Sequence, residues 1–249
     1  MKNIKKGFSL AEVLIAIAIV GVIAAINIPT VVSETQNRKM AAALGRNVEA
    51  IETGCQLILQ QASEISERRG DGVVNGIWEV RINDIDSSAQ SDRLLNNNNG
   101  NLFSDITSNF FNTVLRTLNN YNVSGINGGT ASPPRNQLAS NYAISSKFGS
   151  IYGYSYNHEA NFDNLNDPIV AFIYIDVNAA SAPNRYGRDI FLFGLTDSCH
   201  MVPAGTPRIR AMNNSIPLEN TSAGCVGDNP SNGLSCTSRV VRNGYRIDY

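Results

Sequence analysis

The chain has 249 residues, of which 43% are hydrophobic and 16% are charged. That length fits one large domain or two small ones and is sufficient to bury a hydrophobic core. The formal net charge of −1 argues against a general nucleic-acid-binding protein, because such proteins need clustered positive charge to displace counterions. A mean hydropathy of −0.14 excludes a protein with many membrane spans.

The apolar residues are concentrated near the amino terminus. The stretch from Phe8 to Ile28 contains 21 residues and one charge. As an α-helix it would be about 31 Å long, close to the hydrocarbon thickness of a bilayer. Lys2, Lys5 and Lys6 precede this stretch and should hold that end of the helix in the cytoplasm. The sequence therefore predicts a single membrane span with most of the chain on the other side.

Two common kinds of segment share this general pattern, namely a cleaved secretory signal and a simple membrane anchor. A secretory signal has a shorter apolar core that ends in small residues, whereas this stretch is long and is followed by Pro29. Neither alternative accounts for Glu12, since a carboxylate within a membrane helix costs about 2.5–3.5 kcal/mol on insertion scales. Glu12 is therefore a candidate functional residue that needs a cationic partner.

The residues around Glu12 resemble a known processing site. From Gly7 to Ile17 the sequence reads Gly-Phe-Ser-Leu-Ala-Glu-Val-Leu-Ile-Ala-Ile, which is similar to the amino-terminal motif of type IV prepilins and of the pseudopilins of type II secretion. The resemblance implies cleavage after Gly7 by a prepilin peptidase and N-methylation of Phe8. Glu12 would become the fifth residue of the mature chain and Pro29 the twenty-second, where family members carry a glutamate and often a proline.

The resemblance also implies a function. The mature chain would be a structural subunit of a type IV pilus-like filament, in which Glu12 pairs with the methylated amine of a neighbouring subunit. Expected partners are other pilins, the prepilin peptidase, the inner-membrane assembly machinery, and the membrane before assembly, while nothing indicates nucleic acid. The precursor would lie in the bacterial inner membrane with its head outside the cytoplasm. The assembled subunit would then lie in a surface pilus or in a periplasmic filament.

Two other interpretations remain open. One is a pseudopilin of a type II secretion filament, and the other is a membrane-anchored surface ligand-binding protein that uses a prepilin-type leader. The sequence has no Gly-x-Ser-x-Gly, His-Glu-x-x-His or phosphate-binding Gly-Lys-Ser/Thr pattern, so we expect that the protein is not an enzyme. Loss of the three leader lysines would leave 17 basic and 21 acidic residues, a net charge of −4.

The chain divides into a prepilin leader, a transmembrane or filament-core helix, the amphipathic half of the same helix, and a globular pilin-like head, at residues 1–7, 8–30, 31–69 and 70–249. In the amphipathic half, apolar residues recur at spacings of three and four, at Val48, Ile51, Cys55, Ile58 or Leu59, Ala62 and Ile65. This period predicts a helix packed on a sheet. The run from Arg68 to Gly70 predicts the end of the helix, because cations suit the last carbonyls and glycine suits the next position.

The head carries strand patterns toward its carboxyl end. Strands are predicted at residues 142–145, 150–156, 169–177 and 189–195, the third of them central because its apolar run is continuous. Asn243-Gly244 predicts a β-hairpin over residues 239–248, since a type I′ turn needs positive φ at both positions. Residues 73–82 suggest a short strand pair, and residues 106–118 suggest a helix. With the family resemblance, these patterns give an α+β fold in which a long amino-terminal helix packs on an antiparallel sheet.

The four cysteines are Cys55, Cys199, Cys225 and Cys236. An even number suits disulfides in an oxidising compartment and allows three connectivities. The irregular loop between Cys225 and Cys236 needs a crosslink, so we favour this pair, which leaves Cys55 with Cys199. The alternative is that one or two of them are buried free thiols. No Cys-x-x-Cys pair is present, which disfavours a zinc site.

One loop has oxygen-bearing side chains next to a glycine. Asp176, Asn178 and Asp189 are candidate ligands for Ca²⁺, which prefers carboxylate and amide oxygens. The spacing is not that of an EF-hand loop and two arginines lie within it, so a capped hairpin connection is the favoured alternative. No other cofactor is expected. His158 and His200, the two histidines, are interpreted as solvated loop residues.

Overall fold

The computed structural model describes residues 9–80, 114–117, 123–124, 130–131, 142–145, 151–156, 167–178, 184–212, 216–221, 224–225 and 233–249. The chain forms two compact units, Met1–Lys39 and Met40–Tyr249. The helices of the described residues are α1 (Leu10–Arg69), α2 (Pro207–Met212) and α3 (Cys236–Arg242).

Among the described residues, six strands form one antiparallel sheet and two more form a separate ladder. In the order in which they pair, the strands of the sheet are β1 Val114–Thr117, β4 Tyr142–Ser145, β5 Ile151–Tyr156, β6 Ile169–Asp176, β7 Ile190–Thr196 and β8 Met201–Pro203. The small ladder joins β2 Val123–Ser124 and β3 Thr130–Ala131. This arrangement confirms the predicted α+β layout.

The second half of α1 packs against the sheet through the predicted apolar stripe. Its buried apolar side chains follow spacings of three and four, at Ala41, Leu44, Val48, Ile51, Cys55, Ile58 and Ala62. The helix ends where the sequence predicts: the Gly70 N–H donates to Glu67 O, the Asp71 N–H donates to Ser66 O, and Gly70 has a φ of 81°. These two bonds form a Schellman motif, which needs a residue at positive φ, and glycine adopts that conformation without strain.

Strand β7 is buried on both faces, which explains its continuous apolar sequence. Phe191, Phe193 and Leu195 point into the core beneath α1. Ile190 and Leu192, which alternate with them, point into a second core that the residues of α2 help to cover. Alternate side chains of a strand face opposite sides of a sheet, so each face of β7 has its own hydrophobic cover.

The strands predicted near residues 142, 150, 169 and 189 are confirmed as β4, β5, β6 and β7, and β6 lies inside the sheet as expected. Two predictions were wrong. Residues 73–80 contain a turn at residues 77–79 and no strand, and Val114–Thr117, assigned to a helix, forms β1. The rest of that proposed helix lies outside the described residues. A short apolar run fits either period, and sheet pairing with β4 decides the outcome.

The predicted carboxyl-terminal hairpin was also wrong, because α3 occupies its first half. The Gly244 N–H donates to Val241 O and the Tyr245 N–H donates to Val240 O, so Asn243-Gly244 ends a helix instead of turning a hairpin. Gly244 has a φ of 66°. Both structures need a residue at positive φ, and the local sequence does not distinguish between them.

Candidate functional site

Helix α1 begins with a capping box formed by Ser9 and Glu12. The Glu12 Oε2 atom accepts hydrogen bonds from the Ser9 N–H at 2.7 Å and from the Ser9 hydroxyl at 2.8 Å. The Ser9 Oγ in turn accepts the Glu12 N–H at 3.3 Å. This arrangement satisfies donors that a helix amino terminus leaves without intrahelical partners, and the helix dipole favours a carboxylate there. Ser9 was not among the predicted site residues, although a Ser-x-x-Glu spacing ahead of an apolar run is typical of a capping box.

On both sides of Glu12 the helix exposes apolar side chains. These exposed residues include Leu10, Val13, Leu14, Ile15, Ile17, Ile19, Val20, Val22, Ile23, Ile26, Ile28, Val31 and Val32. Among the described residues, α1 is the one helix long and apolar enough to cross a membrane. A helix that is apolar around its circumference is suited to lipid or to contact with other helices. Gly7 and Phe8, the predicted processing residues, lie outside the described residues.

Pro29 lies inside α1 without interrupting it. Because proline lacks an N–H, the Ala25 carbonyl loses its usual donor four residues later. Side chains near it bond to the backbone: Asn27 Nδ2 donates to Ile23 O at 2.7 Å, and Thr30 Oγ1 donates to Asn27 O at 2.8 Å. Helix α1 therefore continues through Pro29 to Arg69.

The structure joins Cys55 to Cys199 and Cys225 to Cys236. This is the pairing that the sequence analysis favoured. All four cysteines are at most 3% exposed. The first bond connects α1 to the turn after β7, and the second connects residue 225 to the first residue of α3. Each bond therefore ties together two segments that pack in the core.

The β7–β8 turn (residues 197–200) and the start of β8 are hydrogen-bonded to α1 and to the segment that follows α1. Glu52 lies on α1, three residues before Cys55, and its Oε1 accepts the Met201 N–H at 2.7 Å. The Ile77 N–H donates to Asp197 O at 2.9 Å, and the Trp78 N–H donates to Asp197 Oδ1 at 2.7 Å. The turn thus receives hydrogen bonds that do not depend on the disulfide.

The same turn is also bound to the residues before β6. Asp167 accepts the Ser198 N–H and the Ser198 hydroxyl, both at 2.7 Å. Burial by itself would raise the pKa of the Asp167 carboxyl, but the hydrogen bonds from Ser198 and Thr196 and the charge of Arg208 together hold that pKa below its ordinary value. His200 is exposed, and His158 lies outside the described residues.

A second polar cluster holds α3 against the segment that carries Cys225. Glu219, which is 9% exposed, accepts the Ser238 hydroxyl at 2.7 Å and the Arg242 Nη2 at 2.7 Å. A buried carboxylate is tolerated only when it is paired and hydrogen-bonded. Sequence reasoning missed this cluster, because its members are 19 and 23 residues apart.

The proposed Ca²⁺ ligands lie at the two ends of the β6–β7 connection. The Asp189 carboxylate accepts the Arg185 N–H at 2.5 Å and the Asn184 N–H at 2.7 Å, and Asp176 Oδ1 accepts the Asn178 N–H at 3.2 Å. Burial raises the pKa of Asp189 against the opposing effect of these N–H donors. No group of three or more His, Cys, Asp or Glu side chains within the described part of the chain is arranged to hold a metal. The carboxylates cap the connection, and Ca²⁺ binding stays a prediction.

Comparison with known families concerns the amino terminus. Residues 2–26 match a family model described as the prokaryotic N-terminal methylation motif. That range includes Gly7, Phe8 and Glu12 and ends before Pro29. Neither a curated protein nor a solved structure matches the chain significantly.

Proposed function

We propose that this chain, which carries the amino-terminal motif of the type IV pilins and pseudopilins, is a structural subunit of a type IV pilus-like filament. A prepilin peptidase would cleave it after Gly7 and methylate the new amine of Phe8. The observation that carries the proposal is the motif over residues 2–26, with Glu12 at the fifth position of the cleaved chain. The exposed apolar stretch of α1 supports it, because such a helix needs lipid or other helices around it.

The capping box suggests how Glu12 serves the subunit before and after assembly. In a single subunit, Ser9 gives the carboxylate two donors where an unsatisfied charge would be expensive. Cleavage after Gly7 leaves Ser9 as the second residue, so the box survives processing. A carboxylate accepts up to about four hydrogen bonds, which leaves room for the methylated amine of a neighbouring Phe8. Such a pair would fix the register between subunits more than it would add stability.

The head would act outside the cytoplasm as a structural and interaction module without catalysis of its own. Two buried disulfides support that location, because disulfides persist in oxidising compartments. Its direct partners would be other pilins in the filament and the inner-membrane machinery that assembles them.

Mass spectrometry of the mature protein tests the processing step. We expect a chain that begins with N-methylated Phe8 and lacks residues 1–7. A mature protein that retains Met1 would contradict the proposal at its first step.

Filament assembly tests the role of Glu12. We expect Glu12→Ala to be processed normally and to yield few filaments, because the pair with the neighbouring amine is lost. Glu34→Ala is the matched control, since Glu34 is also a glutamate on α1 but lies outside the apolar stretch and pairs with Arg38 at 2.6 Å. Equal filament yields from both variants would contradict the pairing. Immunolabelling then distinguishes a surface pilus from the alternative, a pseudopilin filament confined to the periplasm.

A further inference from the structure

We propose that the folded head itself selects the disulfide pairing, through two separate hydrogen-bonded clusters that each hold one pair of cysteines together. Simple oxidation then produces Cys55–Cys199 and Cys225–Cys236 without a rearrangement step. The inference rests on the proposed function only for the compartment in which oxidation occurs.

Chain statistics alone do not secure this pairing. Closing a loop becomes less probable roughly as the −3/2 power of its length. The native partners Cys55 and Cys199 are 144 residues apart, whereas Cys199 and Cys225 are only 26 apart. An unfolded chain would favour Cys225–Cys236, whose cysteines are 11 residues apart, over the wrong Cys199–Cys225 bond by only about 3.6-fold. It would favour Cys199–Cys225 over Cys55–Cys199 by about 13-fold. Structure formed before oxidation removes the remaining competition for Cys199 by presenting it to α1.

The β7–β8 turn provides that structure without using either sulfur. Cys199 has a φ of 69°, a conformation unusual for a residue with a side chain. The Cys199 N–H donates to Thr196 O at 3.0 Å, and Asp167 holds the adjacent Ser198 through two bonds. Glu52 fixes the far side of the turn by accepting the Met201 N–H. Cys199 therefore faces Cys55 as a consequence of folding.

Glu219 provides the second, independent cluster. Its carboxylate binds Ser238 and Arg242 of α3, whose first residue is Cys236. Next to Cys225, the Gly224 N–H donates to Thr221 O at 2.8 Å. A Cβ at Gly224 would lie 2.0 Å from the Leu218 carbonyl oxygen, so the backbone is closely packed at this point. Within the described part of the chain, the hydrogen bonds that hold Cys199 and those that hold α3 have no residue in common.

The chemistry requires a disulfide donor, either a thiol oxidoreductase in its disulfide form or a small disulfide. One cysteine thiolate attacks the donor, forming a mixed disulfide and releasing one donor thiol. The second cysteine thiolate displaces the other donor sulfur. The pair loses two electrons and two protons, and the donor ends as two thiols, which belong to one protein for an oxidoreductase and to two molecules for a small disulfide. The same exchange accounts for both bonds.

The test uses the full chain in detergent micelles, reduced in urea, refolded by dilution and oxidised with glutathione disulfide. Acid-quenched samples are alkylated and mapped as peptides to follow each bond. We expect native pairing as the main product. Glu52→Ala should slow formation of Cys55–Cys199 by about tenfold, the effect of losing one hydrogen bond to a charged acceptor, and should leave the initial rate of Cys225–Cys236 unchanged. Glu219→Ala should show the reverse selectivity.

Glu64→Ala, an exposed site on the same helix, is the matched control and should change neither rate. If Glu219→Ala fails to refold, Ser238→Ala removes one of the two donors and should slow Cys225–Cys236 alone. The proposal is overturned if the wild type accumulates Cys199–Cys225, or if the two glutamate variants slow both bonds equally. Thiols that stay reduced in cells but pair natively in micelles would contradict the proposed export of the head and leave the inference standing.

Discussion

Removing either disulfide tests how the two crosslinks contribute to the stability of the head. The perturbations are the double variants Cys55→Ala with Cys199→Ala, and Cys225→Ala with Cys236→Ala. All four side chains are at most 3% exposed, so the packing lost with the sulfur atoms is similar in the two variants and cancels in the comparison.

The expected difference follows from the lengths of the closed loops, 144 and 11 residues. A crosslink restricts the unfolded chain by an entropy that grows as 1.5R ln n, so the loop ratio contributes about 2.3 kcal/mol at 25 °C. On the same relation the longer crosslink stabilises the head by about 5 kcal/mol and the shorter by about 3 kcal/mol. The helix-to-sheet bond should therefore be the more important of the two.

Urea unfolding of the full chain in detergent micelles measures the effect. Trp78 is the one tryptophan of the chain. It reports unfolding because its side chain packs against the core beneath α1 and its backbone N–H donates to Asp197. With a slope of about 2 kcal/mol per molar urea, the midpoint of the Cys55/Cys199 variant should lie about 1 M below that of the other variant. Equal midpoints, or the opposite order, would refute the argument from loop length.

Two further predictions concern Gly45 and Asp189. Gly45→Ala should raise the free energy of unfolding by about 0.5–1 kcal/mol, because alanine favours the helix and its Cβ would lie at an ordinary contact distance of 3.4 Å from the Tyr245 ring. Gly45→Leu should lower the free energy of unfolding, because the larger side chain would clash with the Tyr245 ring. Thermal unfolding of the wild type and the two Gly45 variants measures both effects. Burial raises the pKa of Asp189, so the folded head binds that proton more tightly than the unfolded chain, whose Asp pKa is about 4. The contribution of Asp189 to stability therefore falls as the pH rises above that value, and Asp189→Asn should show a weaker fall between pH 4 and pH 7 than the wild type. An unchanged pH profile would contradict the raised pKa.

Several elements could be predicted because their patterns are local and periodic. The stripe from Val48 to Ala62 and the stop at Gly70 define the second half of α1, and the structure confirms both. The apolar run that became β6 is long enough to identify a buried strand. Each of these depends on the backbone period or on the freedom of glycine, which residues within a few positions of each other determine.

The carboxyl-terminal hairpin and the helix at residues 114–117 were wrongly predicted for one reason: the same local residues are compatible with two different structures. Gly244 satisfies a type I′ turn and a helix cap equally well. Packing of Val240 in the core and the bonds from Ser238 and Arg242 to Glu219 select the helix. In the same way, the apolar residues at 114–117 fit a helix face until β4 pairs with them.

The sequence by itself determined the amino-terminal motif, the span of apolar residues and the position of Glu12, because these lie within one continuous helix whose contacts are a few residues apart. Only the tertiary structure decided how Glu219 meets Ser238 and Arg242 and how Glu52 meets Met201. Those contacts join residues separated by 19 to 149 positions. Their partners are chosen by the packing of helices on the sheet, which no local pattern specifies.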